Sequence, residues 1–190
     1  MIDLDAPVDG LTFVAFDFET TGLYPATDRI VEFGAVRFRL GEELEGFSAL
    51  ANPGRSIHPD AAQVSGISDA DVADKPPVAQ LLPQFVQFLG DDVLLAHNAR
   101  FDAAFLRAEL ERAGLPTMRN PISDTQVLAQ RAFPGRPSYA LQALVEFLQI
   151  PANQAHRAQD DARQCMRLFA HCVDAMAFMG DLPLRDVLTS

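Results

Sequence analysis

The chain has 190 residues, of which 48% are hydrophobic and 22% charged, proportions that are ordinary for one globular domain with a substantial core. No apolar run approaches the roughly 18 residues of a membrane helix, and the acidic N-terminus lacks the order of a signal peptide. The net charge of −11 argues against a broad surface that coats long nucleic acid, but not against an enzyme that holds a short single-stranded end. We expect a cytoplasmic protein with no membrane partner, and one domain over 1–190 with its core at about 11–179 and short tails.

The first part of the chain predicts three strands, at about 11–19, 30–39 and 43–51. The second, "IVEFGAVRFR", has the alternating pattern of a strand, and the short break at Gly41 predicts a hairpin, so the chain opens as an antiparallel meander. The stretch "NPGRSIHPDAAQVSGISDADVADKPP" then predicts a surface loop with one short helical turn. A loop of this length in a compact domain is often functional.

The rest of the chain alternates between helices and short strands. We expect helices at about 76–89, 99–114, 124–133, 138–149 and 157–179, and short strands at about 92–97 and 121–124. A strand–helix–strand crossover implies parallel pairing. The sequence therefore predicts an α/β fold with a mixed sheet covered by helices, in which the first and fourth strands lie side by side. Ligands in such sheets bind at the carboxyl ends of central strands.

The first predicted strand ends in two carboxylates, in "VAFDFETTG". Asp17 and Glu19 are two residues apart, so they point to one face of the strand, while Phe16 and Phe18 point to the other. Among 26 acidic residues, such a pair taken alone is more often a solvated strand end than a functional site. Its function depends on whether other charged residues reach the same place.

Two further carboxylates are predicted to reach that place. Asp102 lies in the first turn of the helix that follows the fourth strand. The helix dipole stabilises a carboxylate at this position, so Asp102 taken alone also fits a purely structural role. In "HRAQDDAR", Asp161 aligns with the apolar stripe of its helix and Asp160 with the wet face. We therefore expect Asp161 to face inward and Asp160 to face solvent. His156 is expected in the loop before this helix, where it can lie over the same site.

Four inward-facing carboxylates within a few ångströms would repel one another and become partly protonated. A pair of divalent cations removes this conflict, and an all-oxygen ligand set selects Mg²⁺ or Mn²⁺ over zinc. Two such ions stabilise the attacking and leaving oxygens of an in-line phosphoryl displacement. A neutral histidine can take the proton from the attacking water.

The motifs "DFETTG", "AHNARFD" and "HRAQDDAR", in this order, resemble those of the DEDDh (DnaQ-like) 3′–5′ exonucleases. This family includes the proofreading subunit of bacterial replicative polymerases, and the resemblance covers about residues 11–175. It implies a ribonuclease H-like fold with a five-stranded mixed sheet, and a metal-dependent enzyme that removes 5′-mononucleotides from single-stranded 3′ ends. Many relatives have a histidine where this chain has Ser65.

The resemblance also implies roles for individual residues. Asp17 would bridge two metals, with Glu19 and Asp161 completing the first metal site. Asp102 would support the second, and His156 would be the general base. The residues near the terminal nucleotide would be Thr20, Gly22, Leu23, Asp60, Ser65, His97 and Asn98.

Several alternatives stay open at this point. The enzyme could instead trim short RNA, or the chain could be a scaffold or polymerase-partner module that kept the fold and lost activity. Replication or repair proteins are possible partners, and the sequence does not fix the oligomeric state. His97 fits a structural histidine as well as a substrate contact. Phe101 and Phe105 fit the core better than base stacking.

Overall fold

The computed structural model describes residues 3–40, 42–151, 156–177 and 180–189. The strands are β1 Phe13–Thr20, β2 Ile30–Arg39, β3 Glu42–Leu50, β4 Val93–Ala96 and β5 Ile122–Asp124. The helices are α1 Pro59–Ser65, α2 Asp69–Val72, α3 Val78–Leu89, α4 Ala99–Arg112, α5 Thr125–Ala132, α6 Leu141–Phe147, α7 Ala158–Met176 and α8 Leu184–Val187, with a 3-10 turn at Val8–Gly10.

Within the described residues the strands form one five-stranded sheet in the order β3-β2-β1-β4-β5. The meander β1–β2–β3 is antiparallel, β4 is parallel to β1, and β5 is parallel to β4. The chain enters β4 through α3 and passes from β4 to β5 through α4. Helical crossovers of this kind give parallel pairing. The predicted mixed sheet, with its first and fourth strands adjacent, is confirmed.

Side chains of β1 point alternately to the two faces of the sheet and pack into two separate hydrophobic cores. Phe13 and Ala15 pack with Phe169 of α7 on one face of the sheet. Val14, Phe16 and Phe18 pack on the other face with side chains from α3 and α4. Asp17 and Glu19 continue the row that starts at Phe13, so β1 aims its two carboxylates at the α7 side.

Gly34 on β2 allows α7 to approach the sheet closely. A Cβ at this position would lie 2.0 Å from the backbone carbonyl carbon of Ala158 and 2.1 Å from the backbone nitrogen of Gln159. Backbone atoms cannot move aside as a flexible side chain can, so only glycine fits here. Because Gly34 pairs with Asp17 in the sheet, the first turn of α7 lies beside the acidic end of β1.

The segments around Pro7 and Pro183 pair with each other, in regions where the sequence predicts short tails. Pro7 and Pro183 form an antiparallel bridge, and the backbone N–H of Val8 donates to the carbonyl of Leu182 at 2.9 Å. Val8, Leu184 and Val187 are buried in the core. The core therefore extends beyond the predicted limits of 11–179. A four-residue helix such as α8 carries too little periodicity to be predicted.

The loop after β3 also differs from its prediction, because it contains two short helices, α1 and α2, instead of one helical turn. The predicted hairpin at Gly41 and the last two residues of the predicted helix over 157–179 lie outside the described residues. The helix at 78–89 is two residues shorter than predicted and the helix at 141–147 is five residues shorter. Helix ends are the least certain part of such a prediction. No helix in the described part of the chain is long and apolar enough to cross a membrane.

Candidate active site

The carboxyl end of β1 presents the first two predicted site residues. Asp17 and Glu19 are half-buried on the α7 side, while Phe16 and Phe18 are buried on the opposite face. In the antiparallel pair with β2, Glu19 lies opposite Glu32. The two carboxylates of "DFE" therefore do not form a solvated strand end.

Asp102 reaches the same end of the sheet from the first turn of α4. Its side chain is 2% exposed, and its Oδ1 accepts the backbone N–H of Phe18 at 3.1 Å. The start of α4 is itself held by Asp124, whose carboxylate accepts the N–H groups of Asn98 at 3.1 Å and Ala99 at 3.0 Å. The end of β5 thus fixes the helix that carries Asp102.

Asp161 faces inward from the first turn of α7, as predicted, and is 6% exposed. Both of its oxygens are held. Oδ1 accepts Nε2 of Gln142 at 3.0 Å, and Oδ2 accepts the backbone N–H of His156 at 2.9 Å. Asp160 points away from the site and pairs with Arg163 at 3.1 Å. The two adjacent aspartates therefore have different environments on one helix.

Glu19, His156 and Asp161 are the one set of three potential ligands found close together in the described part of the chain. Each offers a ligand atom, and these atoms lie within 4.8 Å of one another. Asp17 and Asp102 are outside this group of three, although both carboxylates are close enough to interact electrostatically with it. The donor set is rich in carboxylate oxygen, which suits a hard divalent cation.

The carboxylates of the site resist ionisation. Burial raises the pKa of Asp17, and the neighbouring carboxylates of Asp102 and Asp161 raise it further. Burial raises the pKa of Glu19 to about 8, with additional contributions from Asp161 and Glu32. Burial likewise raises the pKa of Asp102 and of Asp161. A bound cation would relieve this repulsion by favouring the ionised carboxylates, so the residues present fit a divalent metal.

A cavity of about 800 Å³ opens next to Glu19. Four of the residues predicted near the substrate line it, namely Thr20, Gly22, Leu23 and Asp60. Its rim is apolar and unusually exposed, because Leu23 is 72% exposed, Tyr24 71% and Val64 56%. Phe101, expected to lie in the core, packs on Phe105 but also lines this cavity.

Ser65 and His97 use their polar atoms inside the protein. The hydroxyl of Ser65 donates to the carbonyl of Ala61 at 2.9 Å and accepts the N–H of Ile67, and the cavity is lined by the preceding Val64 instead. The two ring nitrogens of His97 bind the hydroxyl of Thr125 at 3.0 Å and the carbonyl of Tyr139 at 2.9 Å. Burial lowers the pKa of His97.

Asn98 is exposed beside the cluster, at the N-cap of α4, in the left-handed backbone region with φ +60°. Its side chain makes no capping hydrogen bond. Contact between the substrate and Asn98, His97 or Ser65 stays a prediction, although the polar atoms of His97 and Ser65 already have partners inside the protein.

Two residues that hold the site are not among the predicted site residues. Glu32 is 1% exposed on β2 and binds Arg157, and Gln142 on α6 binds Asp161. The signal for Glu32 was present, since a glutamate inside "IVEFGAV" interrupts an otherwise buried strand. Gln142 gave no signal, because nothing in "LQALVEF" distinguishes it from a surface glutamine.

A model of the exonuclease family (RNase_T) matches residues 14–169. The chain belongs to this family. The match spans β1 to α7 and includes every carboxylate of the site. The predictions of a DnaQ-like exonuclease and of a ribonuclease H-like fold are therefore confirmed.

Individual relatives agree with the family match. The exonuclease is 42% identical over 161 residues to DNA polymerase III subunit epsilon of Treponema pallidum (strain Nichols), which covers 84% of this chain and 75% of the relative. It is 34% identical over 186 residues to the PolC-type DNA polymerase III of Thermotoga petrophila, but there the match covers 98% of this chain and only 14% of the much longer relative.

Solved structures give the same picture. Exonuclease X in complex with 5′ overhanging duplex DNA superposes with a TM-score of 0.70 at 29% identity, covering 93% of this chain and 98% of that one. Exonuclease I of E. coli in complex with a dA16 oligonucleotide superposes with a TM-score of 0.78 over 87% of this chain and 41% of that one. At 22% identity, the second likeness shows a shared fold alone.

Proposed function

We propose that this exonuclease hydrolyses the terminal phosphodiester bond at single-stranded 3′ ends of DNA and releases 5′-mononucleotides. One observation carries the proposal: Glu19 belongs both to the group of potential metal ligands and to the wall of the cavity. A nucleotide seated in the cavity would therefore present its phosphate to the acidic cluster. The cavity volume of about 800 Å³ is in the range of small-ligand sites.

The walls of the cavity suit an unpaired nucleotide. The exposed side chains of Leu23 and Tyr24 and the ring of Phe101 offer apolar surface to a base that is not stacked in a duplex. Thr20, Gly22 and Asp60 supply polar groups on the same wall for the sugar. A base that is paired and stacked cannot reach these groups, which supports single-stranded ends as the substrate.

We assign the binding of two divalent cations, Mg²⁺ or Mn²⁺, to the four buried or half-buried carboxylates Asp17, Glu19, Asp102 and Asp161. When bound, such ions stabilise charge on the oxygens of an in-line phosphoryl displacement. His156 accepts the proton of the attacking water, because its imidazole lies at the edge of the cluster and is exposed to solvent. Asp161 orients His156 through the backbone N–H.

DNA is the preferred substrate class, since the polymerase III subunit that covers most of this chain is a DNA polymerase component. Replication proteins are the corresponding partners. A competition between DNA and RNA oligonucleotides of one sequence tests this choice. Preferential release of ribonucleotides would instead support an exoribonuclease, because discrimination requires a contact to the 2′-OH.

The function is tested by mixing the protein with a 3′-labelled single-stranded oligonucleotide and Mg²⁺ or Mn²⁺. We expect release of labelled 5′-mononucleotides and none in chelator. Asp161→Asn should lower turnover by about 100-fold or more, because a charged ligand is lost from the cluster. Asp160→Asn is the matched control and should stay near the wild-type rate, since Asp160 faces Arg163. No release from any single-stranded DNA or RNA would refute the enzyme and favour a scaffold.

A further inference from the structure

Glu32 is the most buried glutamate near the active site and lies outside the proposed ligand set. It is 1% exposed near the start of β2, directly opposite Glu19. A buried carboxylate is costly unless a charge partner and hydrogen bonds compensate it. Arg157 provides the partner, with its Nη2 at 2.6 Å from Oε1 and its Nε at 3.2 Å from each carboxylate oxygen.

The same carboxylate also holds the start of α7. Oε2 of Glu32 accepts the backbone N–H of Ala158, the first residue of the helix, at 3.1 Å. The first N–H groups of a helix lack partners within the helix, and a negative charge near them is favourable. Gly34, two residues along β2, leaves room for this close approach. Glu32 therefore acts as a helix cap supplied by the sheet.

His156 precedes these two anchored residues. Its backbone is in the left-handed region with φ +61°, and its N–H donates to Asp161 at 2.9 Å. The segment 156–158 is thus tied at one side to α7 itself and at the other side to β2. These contacts place the side chain of His156, because its own backbone N–H is held by Asp161 and the next two residues, Arg157 and Ala158, are held by Glu32.

We propose that Glu32 is a positioning residue for the exonuclease reaction, holding His156 over Glu19 and Asp161 through its contacts with Arg157 and Ala158. This inference rests on the proposed function. Glu32 contributes a hydrogen-bond acceptor without a further net negative charge, since the Arg157 guanidinium balances it.

The test compares Glu32→Gln with wild type under the same Mn²⁺ and single-stranded DNA. The amide oxygen can still accept the Ala158 N–H, but the charged clamp on Arg157 is lost. We expect kcat to fall by about 10- to 100-fold, because a displacement of about 1 Å at the reacting groups has effects of this size. KM should stay within about threefold, since Glu32 does not line the substrate cavity.

Two further variants make the result specific. In a His156→Ala background, Glu32→Gln should cause no additional loss of kcat in single-turnover measurements with excess enzyme, because a residue that acts through His156 has nothing left to position. Glu109→Gln is the matched control, since Glu109 is a buried glutamate paired with Arg112 at 2.9 Å on α4. It should lower the thermal midpoint but leave kcat near wild type.

A third variant covers the case in which Glu32→Gln does not fold. Arg157→Lys changes a side chain that is 38% exposed, keeps the charge and removes the forked contact, so it should fold and show the same loss of kcat. Wild-type kcat in the folded variants, or equal further loss in the His156→Ala background, would overturn the inference. A wild-type protein that releases no mononucleotides would instead refute the proposed function itself.

Discussion

At the scale of single residues, hydrogen bonds fix the orientation of the site's carboxylates. Without these bonds, repulsion between the negative charges would turn the carboxylates apart. Asp161 is the clearest case, because each of its oxygens already has one donor, from Gln142 and from the His156 backbone. Each oxygen keeps another lone pair for a cation. The two donors therefore fix the orientation of the Asp161 carboxylate and leave a lone pair on each oxygen free to bind a cation.

Gln142→Leu should weaken Mn²⁺ binding by about tenfold, in the range observed when a group that orients a metal ligand is removed. The amide of Gln142 also donates to Gln164 at 2.8 Å, and that buried side chain would lose its partner. Isothermal titration with Mn²⁺ checks the prediction. Gln126→Leu is the control, because Gln126 binds the Tyr139 carbonyl outside the ligand group; equal weakening in both variants would contradict it.

The raised pKa of Glu19 has a consequence for the metal-free protein. Its pKa is 4.5 in the unfolded chain and about 8 in the folded one, so the folded state binds more protons in between. Stability then falls as pH rises from about 4.5 to about 8. We expect the thermal midpoint in chelator to fall between pH 6 and pH 8.5 by more than in Glu19→Gln. Added Mn²⁺ should stabilise more at the higher pH. An identical pH slope in wild type and variant would refute the role of Glu19.

At the scale of elements, the N-terminus of α7 and the first half of β2 form one unit. Gly34 removes the side chain that would separate them, and Glu32 binds across the gap. The end of β5 acts in a similar way on the opposite side, because Asp124 accepts N–H groups from the starts of both α4 and α5. The two helices that bring Asp102 and Asp161 to β1 are thus each fixed at their first turn by a carboxylate from the sheet.

Gly34→Ala should lower the free energy of unfolding by about 1–3 kcal/mol, the usual cost of an added buried methyl group in a tight site. The new Cβ meets backbone at 2.0 Å, so the start of α7 must shift, and Mn²⁺ affinity and turnover should fall with it. Urea denaturation and the nuclease assay measure both effects. Gly10→Ala is the control, since no atom lies within 4 Å of its Cβ. A stable, fully active Gly34→Ala protein would show that α7 does not depend on this contact.

At the scale of the whole molecule, the charge distribution limits how the enzyme holds its substrate. The net charge is −11, and many arginines are already engaged with carboxylates, as Arg37, Arg157 and Arg163 are. Under the proposed function we therefore expect binding to rest on the terminal nucleotides. This agrees with a cavity that has the size of a small-ligand site and an apolar rim.

Affinity for long single-stranded DNA should depend only weakly on salt. If no more than about three phosphates are contacted, the slope of log affinity against log salt should be no steeper than about −2. Fluorescence anisotropy at 50–300 mM NaCl with Ca²⁺ in place of Mg²⁺ measures the slope. A 30-nucleotide strand and a 6-nucleotide strand should give the same slope, and a much steeper slope for the longer strand would contradict a binding site limited to the 3′ end.

The sequence predicted what depends on periodicity and missed what depends on distant contacts. A period of two placed Asp17 and Glu19 on one face, and the helical stripe separated Asp161 from Asp160. The Glu32–Arg157 pair joins residues 125 positions apart, and no local pattern predicts which strand and helix will meet. The cavity wall was predicted only in part, because the direction of the short helix α1 decides that Val64 faces the cavity and Ser65 does not.

The bridge between Pro7 and Pro183 brings the first and last described segments of the fold together. Residues near Pro7 and Pro183 already lie side by side in an antiparallel bridge, and the backbone N–H of Arg185 donates to the carbonyl of Leu4, so a linker from the residues after α8 to those before Pro7 could join the two segments. The fold would then not depend on where along the chain the termini lie. A rearranged chain that starts in the exposed connection at Thr117, between α4 and β5, would keep every strand, every helix and the whole acidic site intact. The new termini would lie on a loop that does not line the cavity, where another protein could be attached.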